Sequence, residues 1–161
     1  MKYTRLTKEQ LEELHPEFIN FLATQSITAE EWDTIKQNSP AVAEEEIDIF
    51  SDLVWEGVLA KAEFLEHFSK DQIHLFRLLE NEMKLIAIKV EDDSIDITTQ
   101  GGYDWLRENL LDDRVVFFNA NKPYNEDKNL DKFNIIQQGA SITKGELYLY
   151  FEKIMNHQNK G

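Results

Sequence analysis

Gln72-Ile73-His74-Leu75-Phe76-Arg77-Leu78-Leu79, then Glu80-Asn81-Glu82, then Met83-Lys84-Leu85-Ile86-Ala87-Ile88-Lys89-Val90: this stretch decides the fold class. In the first run Ile73, Leu75 and Arg77 alternate with His74, Phe76 and Leu78. In the second, Met83, Leu85 and Ala87 alternate with Ile86, Ile88 and Val90. Successive side chains of a strand point to opposite faces, so period two over two runs with a polar spacer predicts a β-hairpin. Both faces carry apolar residues, so cover is expected on both sides of the sheet. The competing reading is a helix from Ser69, because Ser69-Lys70-Asp71-Gln72 also fits a capping box.

Upstream the period becomes helical. Thr7-Lys8-Glu9-Gln10 places a hydroxyl at an N-cap and Gln three residues on, and Leu11, Leu14, Phe18, Phe21 and Leu22 follow at helical spacing. Pro16 lacks an amide donor, so a break or kink is expected there. Thr28-Ala29-Glu30-Glu31 opens a second helix bearing Trp32 and Ile35. A third starts near Pro40, where a missing amide costs little. Its apolar line is Ile47, Phe50, Val54 and Val58, with Leu53 and Leu59 beside it, and Gly57 either ends it or allows close packing.

Downstream, Glu91-Asp92-Asp93-Ser94 is an acidic loop and a helix follows from about Thr99 through Leu110. Val115 to Phe118 predict a buried strand that Asn121-Lys122-Pro123 closes. Leu130, Phe133, Ile135 and Ile136 mark a helix that Gly139 terminates. Thr143-Lys144-Gly145-Glu146 reads as a further capping box, before a helix whose face is Leu147, Tyr150, Phe151 and Ile154, with Tyr148 the exposed tyrosine. The expectation is an α+β fold: a small antiparallel sheet of three or four strands flanked by about five or six helices. It fills one domain over residues 1–161, with residues 156–161 a frayed tail.

Composition narrows function. The chain has 161 residues, 42% hydrophobic, which suffices for a core. Cysteine is absent, so disulfides and thiolate metal sites are excluded, and this fits a reducing compartment. Charged residues interrupt the N-terminal segment and no apolar run approaches spanning length, so neither a secretory signal nor a membrane span is expected and a cytoplasmic location is. Net charge is −14: residues 1–100 hold 9 basic and 22 acidic residues, and 101–161 hold 8 and 9. Phosphate backbones and anionic lipid would meet a repelling surface, so nucleic-acid and membrane binding are disfavoured and a basic protein partner fits.

Phe50-Ser51-Asp52-Leu53-Val54-Trp55-Glu56-Gly57-Val58-Leu59, Leu65-Glu66-His67-Phe68-Ser69-Lys70-Asp71-Gln72-Ile73, Ile136-Gln137-Gln138-Gly139-Ala140 and Ile142-Thr143-Lys144-Gly145-Glu146-Leu147 together resemble a small family of uncharacterised bacterial proteins, classed as a domain of unknown function. The resemblance spans nearly the whole chain. It implies a stand-alone cytoplasmic bacterial protein and brings no activity, cofactor or catalytic residue.

Three constellations carry chemistry. If Ala62 to Ser69 is a strand and Lys70-Asp71 its turn, His67 stands opposite His74. Their Cβ atoms would be roughly 4.5–5.5 Å apart. Two imidazoles and a nearby carboxylate would then grip one divalent metal and support a metal-assisted hydrolase. Against this, Lys-Asp is not a favoured two-residue turn, and Leu65, Phe76 and Ile88 are read on the same face, so the rings pack equally well. Glu44, Glu45, Asp48, Asp52 and Glu56 form a drifting acidic stripe, either a docking surface for a basic partner or a solvated helix face. The acidic loop fails the calcium pattern: counted from Asp92, position six is Ile97 and position twelve Tyr103. No G-x-S-x-G, HExxH, phosphate loop or cysteine nucleophile occurs, so no cofactor is expected beyond that metal. The leading expectation is a non-enzymatic interaction or regulatory module. The alternatives are the hydrolase and a homodimer that closes apolar faces.

Overall fold

The computed structural model describes residues 1–159 and divides the chain into two compact units, Met1–Ala60 and Lys61–Gly161. Among the described residues there are seven helices and one five-stranded sheet. The α+β class holds, with one strand and one helix more than the upper expectation.

The first unit is helical. Helices α1 (Lys8–Glu13) and α2 (His15–Thr24) are separated at Leu14, and Pro16 occupies the first turn of α2, where no helical amide bond is lost. Helix α3 (Ala29–Asn38) follows. The capping boxes at Thr7 and Thr28 are both formed, each hydroxyl accepting from the N3 amide and each N3 side chain accepting from the cap amide. Helix α4 (Pro40–Lys61) runs unbroken through Gly57. Leu6, Phe18, Leu22, Trp32, Ala43 and Phe50 form the buried cluster of this unit. The Phe18 ring meets Trp32 and Phe50 edge-on at 5.1 and 5.0 Å between centroids.

The second unit is built on the hairpin. Strands β1 (Phe64–Phe68), β2 (Gln72–Leu78) and β3 (Glu82–Val90) pair in sequence, all antiparallel. Helix α5 (Gln100–Glu108) leads to β4 (Val115–Pro123), α6 (Lys128–Gln137), β5 (Ser141–Thr143) and α7 (Glu146–Asn159). The order across the sheet is β4-β3-β2-β1-β5. The helix reading from Ser69 is overturned: Ser69 donates its amide to the Gln72 carbonyl at the closed end of the β1–β2 hairpin. β4 runs through Asn121-Lys122-Pro123 instead of closing before them, paired to β3 along its length. Thr143 belongs to β5 and caps no helix box; its hydroxyl accepts from the Gly145 amide.

Each face of this sheet has its own cover. Phe64, Ile73, Leu75, Ile86, Ile88 and Val90 pack with Leu106 of α5 and Tyr148 and Phe151 of α7. On the other face Leu65, Leu78 and Met83 pack with Ile135 and Ile136 of α6. Tyr148 is therefore the buried tyrosine, 5.8 Å from Phe64, and Tyr150 is the exposed one, the reverse of the expectation. Leu147, Phe151 and Ile154 of the predicted face do pack into this cluster, with Met155 beside them, and Tyr148 takes the place expected of Tyr150. Lys132 is buried, and its ammonium donates to the Ala62 carbonyl at 3.1 Å. Burial holds its pKa below the ordinary lysine value, the neighbouring Lys128 adds to the shift and Glu63 opposes it. Helix α7 continues through residues 156–159 of the expected tail, and residues 160–161 lie outside the described residues.

Candidate functional site

The histidine register is as the turn geometry predicts. His67 pairs with His74, and the ring centroids are 6.3 Å apart with planes inclined by 27°. Ile88 is a correction: it pairs with Ile73 on the opposite face, while Ala87 stands beside His74. Strand alternation also removes the carboxylate adjacent to His67 in β1. Glu66 points to the α5/α7 face and His67 to the other. Among the described residues no group of three or more His, Cys, Asp or Glu side chains is placed to hold an ion. The Nε2 edge of His67 faces Gly139, where a Cβ would lie only 2.9 Å away; that glycine has φ +118° and ends α6. Burial lowers the His74 pKa, His67 lowers it further and Asp71 works against the shift. Two imidazoles meet here without a third His, Cys, Asp or Glu donor among the described residues.

Glu66 is a perturbed carboxylate that sequence reasoning missed. Burial raises its pKa, and burial also raises that of Tyr103, whose phenol feels the Glu66 charge. The signal was present as Phe64-x-Glu66-x-Phe68, which sets a carboxylate between two rings on one strand face.

The acidic stripe of α4 divides in two. One part is spent on the first six residues of the chain. Asp52 accepts the amides of Lys2 and Tyr3 at 2.8 and 2.9 Å. Glu56 accepts the Lys2 ammonium at 2.7 Å and the Tyr3 hydroxyl at 2.6 Å. Asp48 pairs with the Arg5 guanidinium at 2.6 Å, which holds its carboxyl below the ordinary aspartate value. Ser51, fully buried, accepts the Leu6 amide at 3.1 Å and donates to the Ile47 carbonyl at 2.7 Å. Tyr3 is pushed up to about 12, first by burial and then by its bond to Glu56. Asp48, Asp52 and Glu56 of the stripe, together with Ser51, thus form a clamp that seats an extended N-terminal strip.

The other part remains outward. Glu44 and Glu45 are exposed. Val42, Ile49, Leu53 and Ala60 are exposed as well, the first three at 44, 42 and 55%. At 3.6 residues per turn these four positions lie within about 40° of one another, turned away from Ile47 and Val54. Leu53 was predicted beside the buried line, and Val58 within it; both are exposed. Glu45, Asp52 and Glu56 border this ridge on one side and Glu46 on the other. One Glu46 carboxylate oxygen is shielded from solvent and accepts no hydrogen bond among the described residues.

Two carboxylates of the acidic segment, Asp92 and Asp96, and Asp112 beyond it are satisfied locally. Asp92 accepts from Ser94 and Arg114, Asp96 from Thr98, and Asp112 is held at about 2 by Arg114. Trp105 carries the Arg114 guanidinium 4.8 Å from its ring centroid. No helix among the described residues is long and apolar enough to cross a membrane.

A family model of unknown function, DUF6495, matches residues 1–156. The chain belongs to the DUF6495 family. Its match spans both compact units, so the clamp, the ridge and the histidine pair all fall within the family region. No curated protein and no solved structure matches the chain.

Proposed function

We propose that this DUF6495 chain is a non-enzymatic interaction module that binds a basic, amphipathic helical segment of a partner protein along the outer face of α4. The observation that carries the reading is the ridge of Val42, Ile49, Leu53 and Ala60 with acidic residues on both flanks. Single exposed apolar residues need no explanation, whereas four aligned on one helix face form a seam of the kind a second helix covers. The flanking charge selects the partner. The first unit holds 4 basic and 13 acidic residues, net −9, so a second copy would bring like charges together and a Lys/Arg-bordered helix would not. Titration with a synthetic helix of leucine and lysine at heptad spacing tests this. Saturable binding that weakens with salt, and is lost when the same residues are scrambled, is expected. Equal binding of the scrambled peptide refutes the reading.

The register-paired imidazoles support a second reading, a metal-assisted hydrolase on His67 and His74. A ion that binds only the folded state raises the melting temperature. An upward shift with zinc, manganese, magnesium or calcium over EDTA, lost in His67→Ala, is what that reading requires. Melting unchanged by all four ions ends it.

A further inference from the structure

The two edges of the sheet are built differently. β5 closes one side with 3 residues, too short to recruit another strand. β4 closes the other with 9 residues, and every residue from Phe118 to Pro123 is exposed. Charged side chains commonly guard such an edge. This chain is 30% charged, yet Val115-Val116-Phe117-Phe118-Asn119-Ala120-Asn121 carries no charge. Phe118 stands 53% exposed on it.

The register shows which main-chain groups are open. The Glu91 amide donates to the Arg114 carbonyl, so that facing pair is a hydrogen-bonded one. By alternation Val116, Phe118, Ala120 and Lys122 turn their main-chain groups toward β3, and Phe117, Asn119 and Asn121 turn theirs outward. Two outward positions have no free amide: Pro123 lacks one, and the Val115 amide donates to the Asp112 carbonyl. The edge is therefore self-complementary. Antiparallel pairing centred on Asn119 joins Asn119 to the second copy's Asn119, Phe117 to its Asn121 and Val115 to its Pro123. The positions without a free amide then face each other, and no donor is wasted. On the α6 face Phe118 covers Ala120 of the second copy and lies diagonal to its Lys122, within cation–π reach. Lys122 faces Val116, so no like charges oppose within the paired strands.

We infer that the chain self-associates through β4, two copies joining their sheets edge to edge about a two-fold axis at Asn119. Sedimentation of the full chain should show a monomer–dimer equilibrium that shifts toward dimer as salt rises, because each copy carries −14 and screening relieves the repulsion. Asn119→Pro removes an outward amide and no bond to β3. It should weaken dimerisation about tenfold or more, while the dilute protein keeps its melting temperature. Phe118→Lys, at an exposed position, sets an ammonium diagonal to Lys122 and should do the same; it decides the matter where the proline variant melts early. The chain has no cysteine, so Asn119→Cys treated with a short bismaleimide should give a covalent dimer. Leu111→Cys, 83% exposed but beyond the end of β4, should not. A chain that stays monomeric at about 100 μM in high salt leaves this edge to a different strand and overturns the inference. So does a dimer unaffected by Phe118→Lys, or equal crosslinking of the two cysteine variants. Salt acts here with the opposite sign to its effect on a basic helix at α4, so the two outcomes are distinguishable.

Discussion

Ser51→Ala removes one oxygen from the centre of the N-terminal clamp. Ser51 is fully buried and Leu6 nearly so, and the hydroxyl is the acceptor for the Leu6 amide at 3.1 Å. Its loss leaves that amide out of water without a partner, which costs about 1–3 kcal/mol. The Ile47 carbonyl also loses a donor at 2.7 Å, yet as a helical carbonyl it retains its backbone bond, so the amide decides the magnitude. Asp48, Asp52 and Glu56 still hold the strip through Arg5, Lys2 and Tyr3, but these contacts are partly exposed and each is worth less. The perturbation is therefore expected first as local opening. Hydrogen exchange at the Leu6 amide should accelerate by roughly 5- to 150-fold, the fold-change equivalent of that energy. Urea melts should show a loss of about 1 kcal/mol or more wherever opening of the strip is coupled to unfolding of the helices. Leu6 exchange unchanged from wild type, with stability within about 0.5 kcal/mol, would refute the claim that the clamp seats the strip.

Gly102→Ala should be among the most damaging glycine changes, by about 3 kcal/mol or more in a chemical melt, because its Cβ would collide with the backbone carbonyl of Asp96 in the loop that caps α5. The pH dependence follows from His74. Its folded-state pKa lies below the unfolded value, so the folded form binds fewer protons there. The stability tied to neutral His74 is fully present above about pH 6.5 and declines as the pH falls through that value toward the lowered one. A His74→Gln variant should lose that part of the acid-side slope in urea melts between pH 7.5 and 5, and parallel curves for the two proteins would contradict it. Metal addition separates the two functional readings by the melting shifts described above.

Much of the second unit was legible because alternation is a local signal. Ile73 to Leu78 and Met83 to Val90 show period two, and from the turn at Lys70-Asp71 the His67–His74 pair follows by register. β5 was not legible. Three residues, Ser141-Ile142-Thr143, are too few to display a period, and they become a strand only by pairing with Phe64 to Glu66 far away in the sequence. Tyr148 was misplaced because Tyr148 and Tyr150 are equally apolar, and only the angle at which α7 meets β2 and β3 chooses between them. The acidic stripe could be drawn on a helical wheel, but its division into clamp and flank depends on residues 2–6, which carry no periodic pattern and take their extended course from Asp52, Ser51 and Asp48. Charge reversal along Glu44, Glu45, Asp48 and Asp52 is consequently a poor test of docking, since two of the four hold the fold together.

The most direct measurement is calorimetric titration of wild type, Ile49→Gln/Leu53→Gln and Glu45→Lys with the leucine–lysine helix, at low and high salt. Covering the exposed halves of Ile49 and Leu53 is worth about 1.5–3 kcal/mol in all, so the double variant should bind roughly 10- to 100-fold more weakly with an unchanged melting temperature. Glu45→Lys should weaken binding at low salt and flatten its salt dependence. Affinity within twofold of wild type in both variants would contradict the assignment of α4 as the docking face.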